Sequence, residues 1–280
     1  MLIFAVPGTP RSTPLPGGTI EGLKRTKELG FSAMEIEWVQ RVPSNVDHIE
    51  EIGGIAKSLD ITLTIHAPYF VNFNATDPEK KEASIKRVLT CLMMAEIVGA
   101  ISVCVHPAFY LGMDPKKAMD NVRRCMDRIM KHRDRIFPHV NLALETMGKP
   151  TQFGTLEEVL ALSKEFDCYP CVDPAHLHAR SNGAINTEAE WNTMFNQYAD
   201  TLGKESLKTM HLHYSGIAYG PKGERKHLPL KDSDANWKGF IRVLKERRIG
   251  GICVCESPLQ EEDTLLMKKT FLNIMSLKNN

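Results

Sequence analysis

The sequence predicts an α/β fold, a (β/α)8 TIM barrel formed as a single domain over residues 1–280. Three observations predict it. Short apolar, β-branched runs recur eight times along the 280 residues, helical patterns alternate with them, and no linker or low-complexity segment divides the chain. Runs of this kind fit strands buried on both faces of a parallel sheet. Doubly wound sheets rarely need eight repeats in this length, whereas a closed barrel uses them all.

In chain order the expected strands are Leu2 to Val6, Ala33 to Ile36, Ile61 to Ile65 and Ile101 to Val105, then Asn141 to Leu144, Pro170 to Val172, Met210 to Leu212 and Gly251 to Cys255. The helices between them carry their own signals. Over 79–99, Ile85, Val88, Leu89, Leu92 and Met93 recur at the spacing of one helical face. Asp77-Pro78 and Asp114-Pro115 each read as an N-cap followed by proline at the first helical position. Thr155 with Glu158 reads as a capping box, and Gly30 and Gly99 as helix ends.

Composition narrows the function. Hydrophobic residues at 42% and charged residues at 25% exclude disorder and coiled coil, and no run approaches the roughly 18 apolar residues of a membrane span. Lys+Arg 35 against Asp+Glu 34 leaves a net charge of +1, so contact with an anionic polymer would have to be local or assisted by cations. The seven cysteines are odd in number and scattered. Cys104, Cys171, Cys253 and Cys255 fall inside strand runs, where a thiol acts as a small hydrophobe, and the Cys168/Cys171 and Cys253/Cys255 spacings lack the second pair of a zinc ribbon. The apolar start, Met1 to Val6, has no basic region before Pro7-Gly8. A reduced, cytoplasmic protein is expected.

A barrel concentrates its chemistry at the C-terminal ends of its strands. Seven of the ten histidines fall there: His66, His106, His176, His178, His211, His213 and His227. Glu37, Glu145, Asp173 and Glu256 join them at ends of strands. A carboxylate ending an apolar strand is costly to bury unless it is paired or binds a metal. So many imidazoles and carboxylates on one rim are most simply held together by a cluster of cations, zinc being favoured and manganese or iron also compatible.

These residues resemble the endonuclease IV type of abasic-site endonucleases, relatives of the xylose isomerase-like barrels. The likeness runs along nearly the whole chain, through His66-Ala67-Pro68-Tyr69 with Asn72, Val105-His106-Pro107 and Leu144-Glu145-Thr146, then Val172-Asp173-Pro174-Ala175-His176, Met210-His211-Leu212 and Cys255-Glu256-Ser257. The resemblance implies a zinc cluster of two to three ions. By it, His66 and His106 hold one ion, Glu145 bridges to a second completed by Asp173, His211 and Glu256, and His176 reaches a third. Where the family has Asp-x-His after strand seven, this chain has Glu224-Arg225-Lys226-His227. Glu224 can stand for the Asp, but Lys226 occupies the His position and His227 comes one residue late, so the third ion depends on an adjustment of the loop.

The resemblance further implies a partner class, double-stranded DNA with abasic sites, and a monomer without membrane contact. Tyr69-Phe70 match the side chains that the family inserts into the duplex, and Gln40-Arg41 its second probing loop. Lys222, Arg225 and Lys226 form a small basic loop for phosphates. The implied reaction is hydrolysis of the phosphodiester 5′ to the lesion, with Glu145 and Glu256 as the catalytic carboxylates. A sugar or sugar-phosphate isomerase or epimerase on the same barrel is the alternative. It would hold one divalent ion with Glu145, Asp173, His211 and Glu256, and leaves His66 with His106 unexplained.

Overall fold

The computed structural model describes residues 1–274. Eight parallel strands form a nearly closed barrel: β1 Leu2–Pro7, β2 Ala33–Glu37, β3 Thr62–His66, β4 Ser102–Val105, β5 Asn141–Leu144, β6 Cys171–Val172, β7 Met210–Tyr214 and β8 Gly251–Cys255. The ladder runs β5-β4-β3-β2-β1-β8-β7-β6, and a single bridge between Glu145 and Cys171 joins its two ends. The α/β TIM barrel read from the sequence is the fold found.

Nine helices surround the strands among the described residues: α1 Gly18–Glu28, α2 Val46–Ser58, α3 Pro78–Val98, α4 Pro115–Ile136, α5 Leu156–Glu165, α6 Pro174–Arg180, α7 Glu188–Leu202, α8 Trp237–Glu246 and α9 Glu261–Asn273. The expected caps are present. Asp77 accepts from the Glu79 amide, Asp114 from the Lys116 and Lys117 amides, and Thr155 and Glu158 close a capping box. Gly99 ends α3 in the left-handed region at φ 75°. None of these helices is long and apolar enough to cross a membrane.

The apolar core lies mainly between strands and helices, in one large cluster along β1–β5 and another along β6–β8. The inside of the barrel differs. Alternate residues point inward, and besides small side chains such as Ala5, Ala33 and Ala143 they include buried Glu35, Thr64, Ser102, His211 and His213. That polar interior lies directly beneath the C-terminal rim.

Two short antiparallel additions complete the rim. Ala108–Phe109 pairs with Gln152–Phe153, tying the segments after β4 and β5. Gly216–Gly220 pairs with Gly223–Leu228 in a hairpin after β7, with a register shift between Ala218 and Tyr219.

Candidate metal centre

Strand ends deliver most of the centre. His66 is the last residue of β3, while His106, Glu145 and Glu256 each follow the last residue of β4, β5 and β8. Glu145 is fully buried and sits at the hub. His106 Nε2 lies 3.0 Å and His66 Nε2 3.6 Å from its Oε2, while His176 Nδ1 lies 3.1 Å and His213 Nδ1 3.5 Å from its Oε1. The Cys104 thiol donates to Oε2 at 3.2 Å. Asp173 splits its two oxygens. Oδ1 caps α6 by accepting from the Ala175 and His176 amides at 2.7 and 3.0 Å, leaving Oδ2 toward His176 Nδ1 at 3.3 Å.

Several imidazoles share one device. His66 Nδ1 bonds the Ala67 carbonyl at 2.8 Å, His176 Nδ1 the Thr146 carbonyl at 2.9 Å, and His227 Nδ1 the Glu256 carbonyl at 3.1 Å. A carbonyl only accepts, so each Nδ1 carries a proton, and Nε2 is the nitrogen whose lone pair is available to a metal once its own proton is given up. Five groups of side chains among the described residues bring their donor atoms within 4.8 Å of one another: His66, Cys104, Glu145 and His213; Glu145, Asp173, His213 and Glu256; His176, Glu224 and His227; Glu35, Glu37 and Glu256; and, deeper in the barrel, Cys171, His211 and His213. Glu145 Oε1, Asp173 Oδ2 and His213 Nδ1 are buried without an aligned hydrogen bond. Unsatisfied donors and acceptors converging in this way suit a cation that draws on all of them.

The late histidine is reconciled by the hairpin. Ala218 pairs with Lys226 and Tyr219 with Glu224, so Arg225 is an extra residue opposite the step between them. Residues three apart on a regular strand face opposite sides, and one bulged residue returns them to the same side. Glu224 Oε2 thereby reaches 3.6 Å from His176 Nε2, and the His227 ring lies 5.7 Å from that of His176. Gly148 makes room for this: a Cβ there would stand 2.8 Å from Glu224 Oε2 and 3.0 Å from His176 Cδ2.

His211 stands elsewhere than expected. It was expected beside Asp173 and Glu256, but it lies deeper in the barrel, with Nδ1 on Ser102 Oγ at 3.1 Å and Nε2 on Glu35 Oε2 at 2.9 Å. His213 takes the expected place, 3.4 Å from Glu256 Oε2. Both point inward from β7, and the residue two positions nearer the C-terminal end is the one at the height of the rim. The alternation of Met210-His211-Leu212-His213 in the sequence marks both as inward but does not set their height. His178 turns away, to the Ile185 carbonyl and Asp234. Glu35 and Cys104, read only as strand residues, are also part of the assembly.

Electrostatics link the groups. Burial opposes ionisation of Glu145, yet His106, His213 and His176 hold it well below the usual carboxylate range. Glu256 is likewise lowered to about 2 by His213 and His227 against the cost of burial. Burial lowers His66, but Glu145, Glu37 and Glu35 push it up to about 10. Burial, with Glu35 and Glu256 nearby, lifts Glu37 to about 8. Metal-free, the cluster compensates its carboxylates with protons, and bound cations would replace them.

The xylose isomerase-like TIM barrel pattern matches residues 23–271. An uncharacterized protein of Methanocaldococcus jannaschii is 35% identical over 271 residues, 97% of each chain. The chain belongs to the xylose isomerase-like TIM barrel family. A probable endonuclease 4 of Aquifex aeolicus is 25% identical over 240 residues, 82% of this chain and 84% of that protein. Two solved structures share the fold at a TM-score of 0.72: endonuclease IV from Thermus thermophilus, at 18% identity over 98% of this chain and 99% of that one, and a D-tagatose 3-epimerase-like protein, at 17% over 99% and 100%.

In this member of the family the rim outside the centre is aromatic and basic. Tyr69 stacks on His106 at 5.2 Å and meets His66 edge-on at 5.2 Å, so its ring lies against both imidazoles. Phe70 beside it is 61% exposed. The Tyr69 amide donates to the Val39 carbonyl, which places the exposed Gln40 and Arg41 in the adjoining loop, and Arg87 holds the Phe70 carbonyl at 2.9 Å. Lys222, Arg225 and Lys226 are exposed on the hairpin.

Proposed function

We propose that this protein is a metal-dependent endonuclease that hydrolyses the phosphodiester 5′ to abasic sites in double-stranded DNA, with two to three zinc ions as cofactor. The observation that carries the reading is the third donor group, His176, Glu224 and His227, assembled by the bulged hairpin beside the two that share Glu145. A single-cation sugar enzyme would need only Glu145, Asp173, His213 and Glu256. The names of the endonuclease 4 relatives point the same way.

In this reading His66, His106 and Glu145 hold one ion, Glu145, Asp173, His213 and Glu256 a second, and His176, Glu224 and His227 a third. Bound ions supply positive charge to the phosphate and acidify water near Glu145. The chain does the rest. Glu145 is the shared carboxylate and Glu256 its partner across His213, both kept ionised by the surrounding imidazoles. Tyr69 shields His66 and His106 from bulk water. Phe70 is placed to enter the base stack beside a lesion, where unstacking costs least. Arg41, Lys222, Arg225 and Lys226 meet phosphates, a local contact that suits a chain of net charge +1.

The test is incision of a duplex oligonucleotide carrying one stable abasic analogue, with zinc and with chelator. Cleavage 5′ to the analogue, lost in chelator, is expected. Metal-replete protein that leaves the duplex intact but epimerises a ketose would overturn the reading in favour of a sugar enzyme, which the D-tagatose 3-epimerase-like fold and the four-residue group around Asp173 would accommodate.

A further inference from the structure

A column of polar side chains runs down the inside of the barrel from the metal centre. His213 Nε2 is in ion-pair contact with Glu35 Oε1 at 2.9 Å. The other carboxylate oxygen, Glu35 Oε2, meets His211 Nε2 at 2.9 Å and accepts from Thr64 Oγ1 at 2.8 Å. His211 Nδ1 meets Ser102 Oγ at 3.1 Å, and Asn141 Nδ2 donates to that hydroxyl at 3.5 Å. Glu35, Thr64, Ser102, His211 and His213 are all buried.

We infer that Glu35 is a positioning residue, holding His213 with Nδ1 toward Glu145, Asp173 and Glu256, and that His211 and Ser102 brace it from below. The chemistry of imidazole requires this division. If Nδ1 is to bind a cation, the ring proton must sit on Nε2 and needs an acceptor there. His213 differs from His66, His176 and His227, whose Nδ1 protons go to backbone carbonyls: it presents the opposite nitrogen, and the acceptor in reach is a carboxylate. A negative acceptor also raises the donor strength of the other nitrogen more than a carbonyl does. Glu35 Oε2 serves His211 and Thr64, which leaves Oε1 as the oxygen that faces His213 Nε2. His211, the histidine expected at the metal, thus acts one layer below it.

The inference rests on the proposed metal centre, so zinc affinity of the wild-type protein is measured first, by competition with a chromogenic chelator. Glu35→Gln keeps the shape and two polar contacts but removes the charge, and Glu35→Leu removes both. Zinc affinity is expected to fall about 10- to 100-fold for the Leu variant, with a smaller loss for Gln. The cobalt-substituted absorption spectrum should change with it, a readout that a packing role would leave alone. Ser102→Ala, which leaves the carboxylate in place, should give a smaller loss in the same direction and serves if the Glu35 variants do not fold. Zinc affinity and cobalt spectra equal to wild type in the folded variants would overturn the positioning role while leaving the centre intact. A wild-type protein that binds no zinc would overturn both.

Discussion

The two sides of the centre are built differently. His66, His106, Glu145 and Glu256 stand on or one residue beyond barrel strands, and the parallel register fixes their mutual height: Glu37 opposite His66, His66 opposite Cys104. Glu224 and His227 stand on a two-stranded hairpin outside the barrel, held by a bulge at Arg225 and by the close approach of Gly148. The first side is as rigid as the sheet. The second depends on local features that a single residue can undo, so in the proposed reading the third cation is the one that a local change would remove.

The largest effect should come from the rigid side. Glu145→Gln removes the carboxylate shared by two donor groups and leaves four imidazoles around a neutral amide, so incision should be abolished. Circular dichroism should show the fold retained, because the amide is close in shape. Incision at the wild-type rate would remove Glu145 from the hub.

The hairpin allows a finer test. Deleting Arg225 straightens the ladder and sets Glu224 and the histidine two residues apart, on one face without a bulge. Metal content per chain should be unchanged. Inserting one further residue beside Arg225 should turn the histidine away and lower content by about one ion, while the strand-end groups keep theirs. Equal metal content in both variants would break the comparison between the two sides.

The smallest expected effect is on stability, in the metal-free protein. His66 is raised from an ordinary 6.5 to about 10, so its contribution is fully present below about 6.5 and is lost as pH rises through 10. Glu37, raised from 4.5 to about 8, acts in the same direction between those values. Melting in chelator should therefore fall between pH 6 and 9.5, on the order of 5 °C, and the zinc-loaded protein should change less because cations have replaced the protons. A chelated protein that melts higher at pH 9.5 would contradict the charge arrangement at His66.

The barrel itself was legible in the residues. Eight apolar runs, the Asp-Pro caps and the Thr155 capping box are local signals, each set by burial or by a backbone hydrogen bond within a few positions, and strands and helices follow them. The rim location of the polar residues followed from the fold, because side chains at strand ends inherit the height of the strand. The additional short helix α6, beginning at Asp173-Pro174, and the hairpin strands lie where one strand–helix unit was expected, since short elements carry little periodicity.

What only the tertiary structure decided is height and facing. His211 and His213 have the same inward direction and the same chemistry, and which one meets Asp173 and Glu256 depends on how far β7 slides against β8, set by the ladder from Met210 opposite Gly251 to Tyr214 opposite Cys255. Whether His227 could replace a histidine one position earlier depended on a bulge that involves pairing with Ala218 and Tyr219, nine and eight residues before it. Glu35 acquires its partners from β3 and β7, strands far apart in sequence. Sequence determines which side chains are buried together; only the register of the closed sheet determines which atoms of them meet.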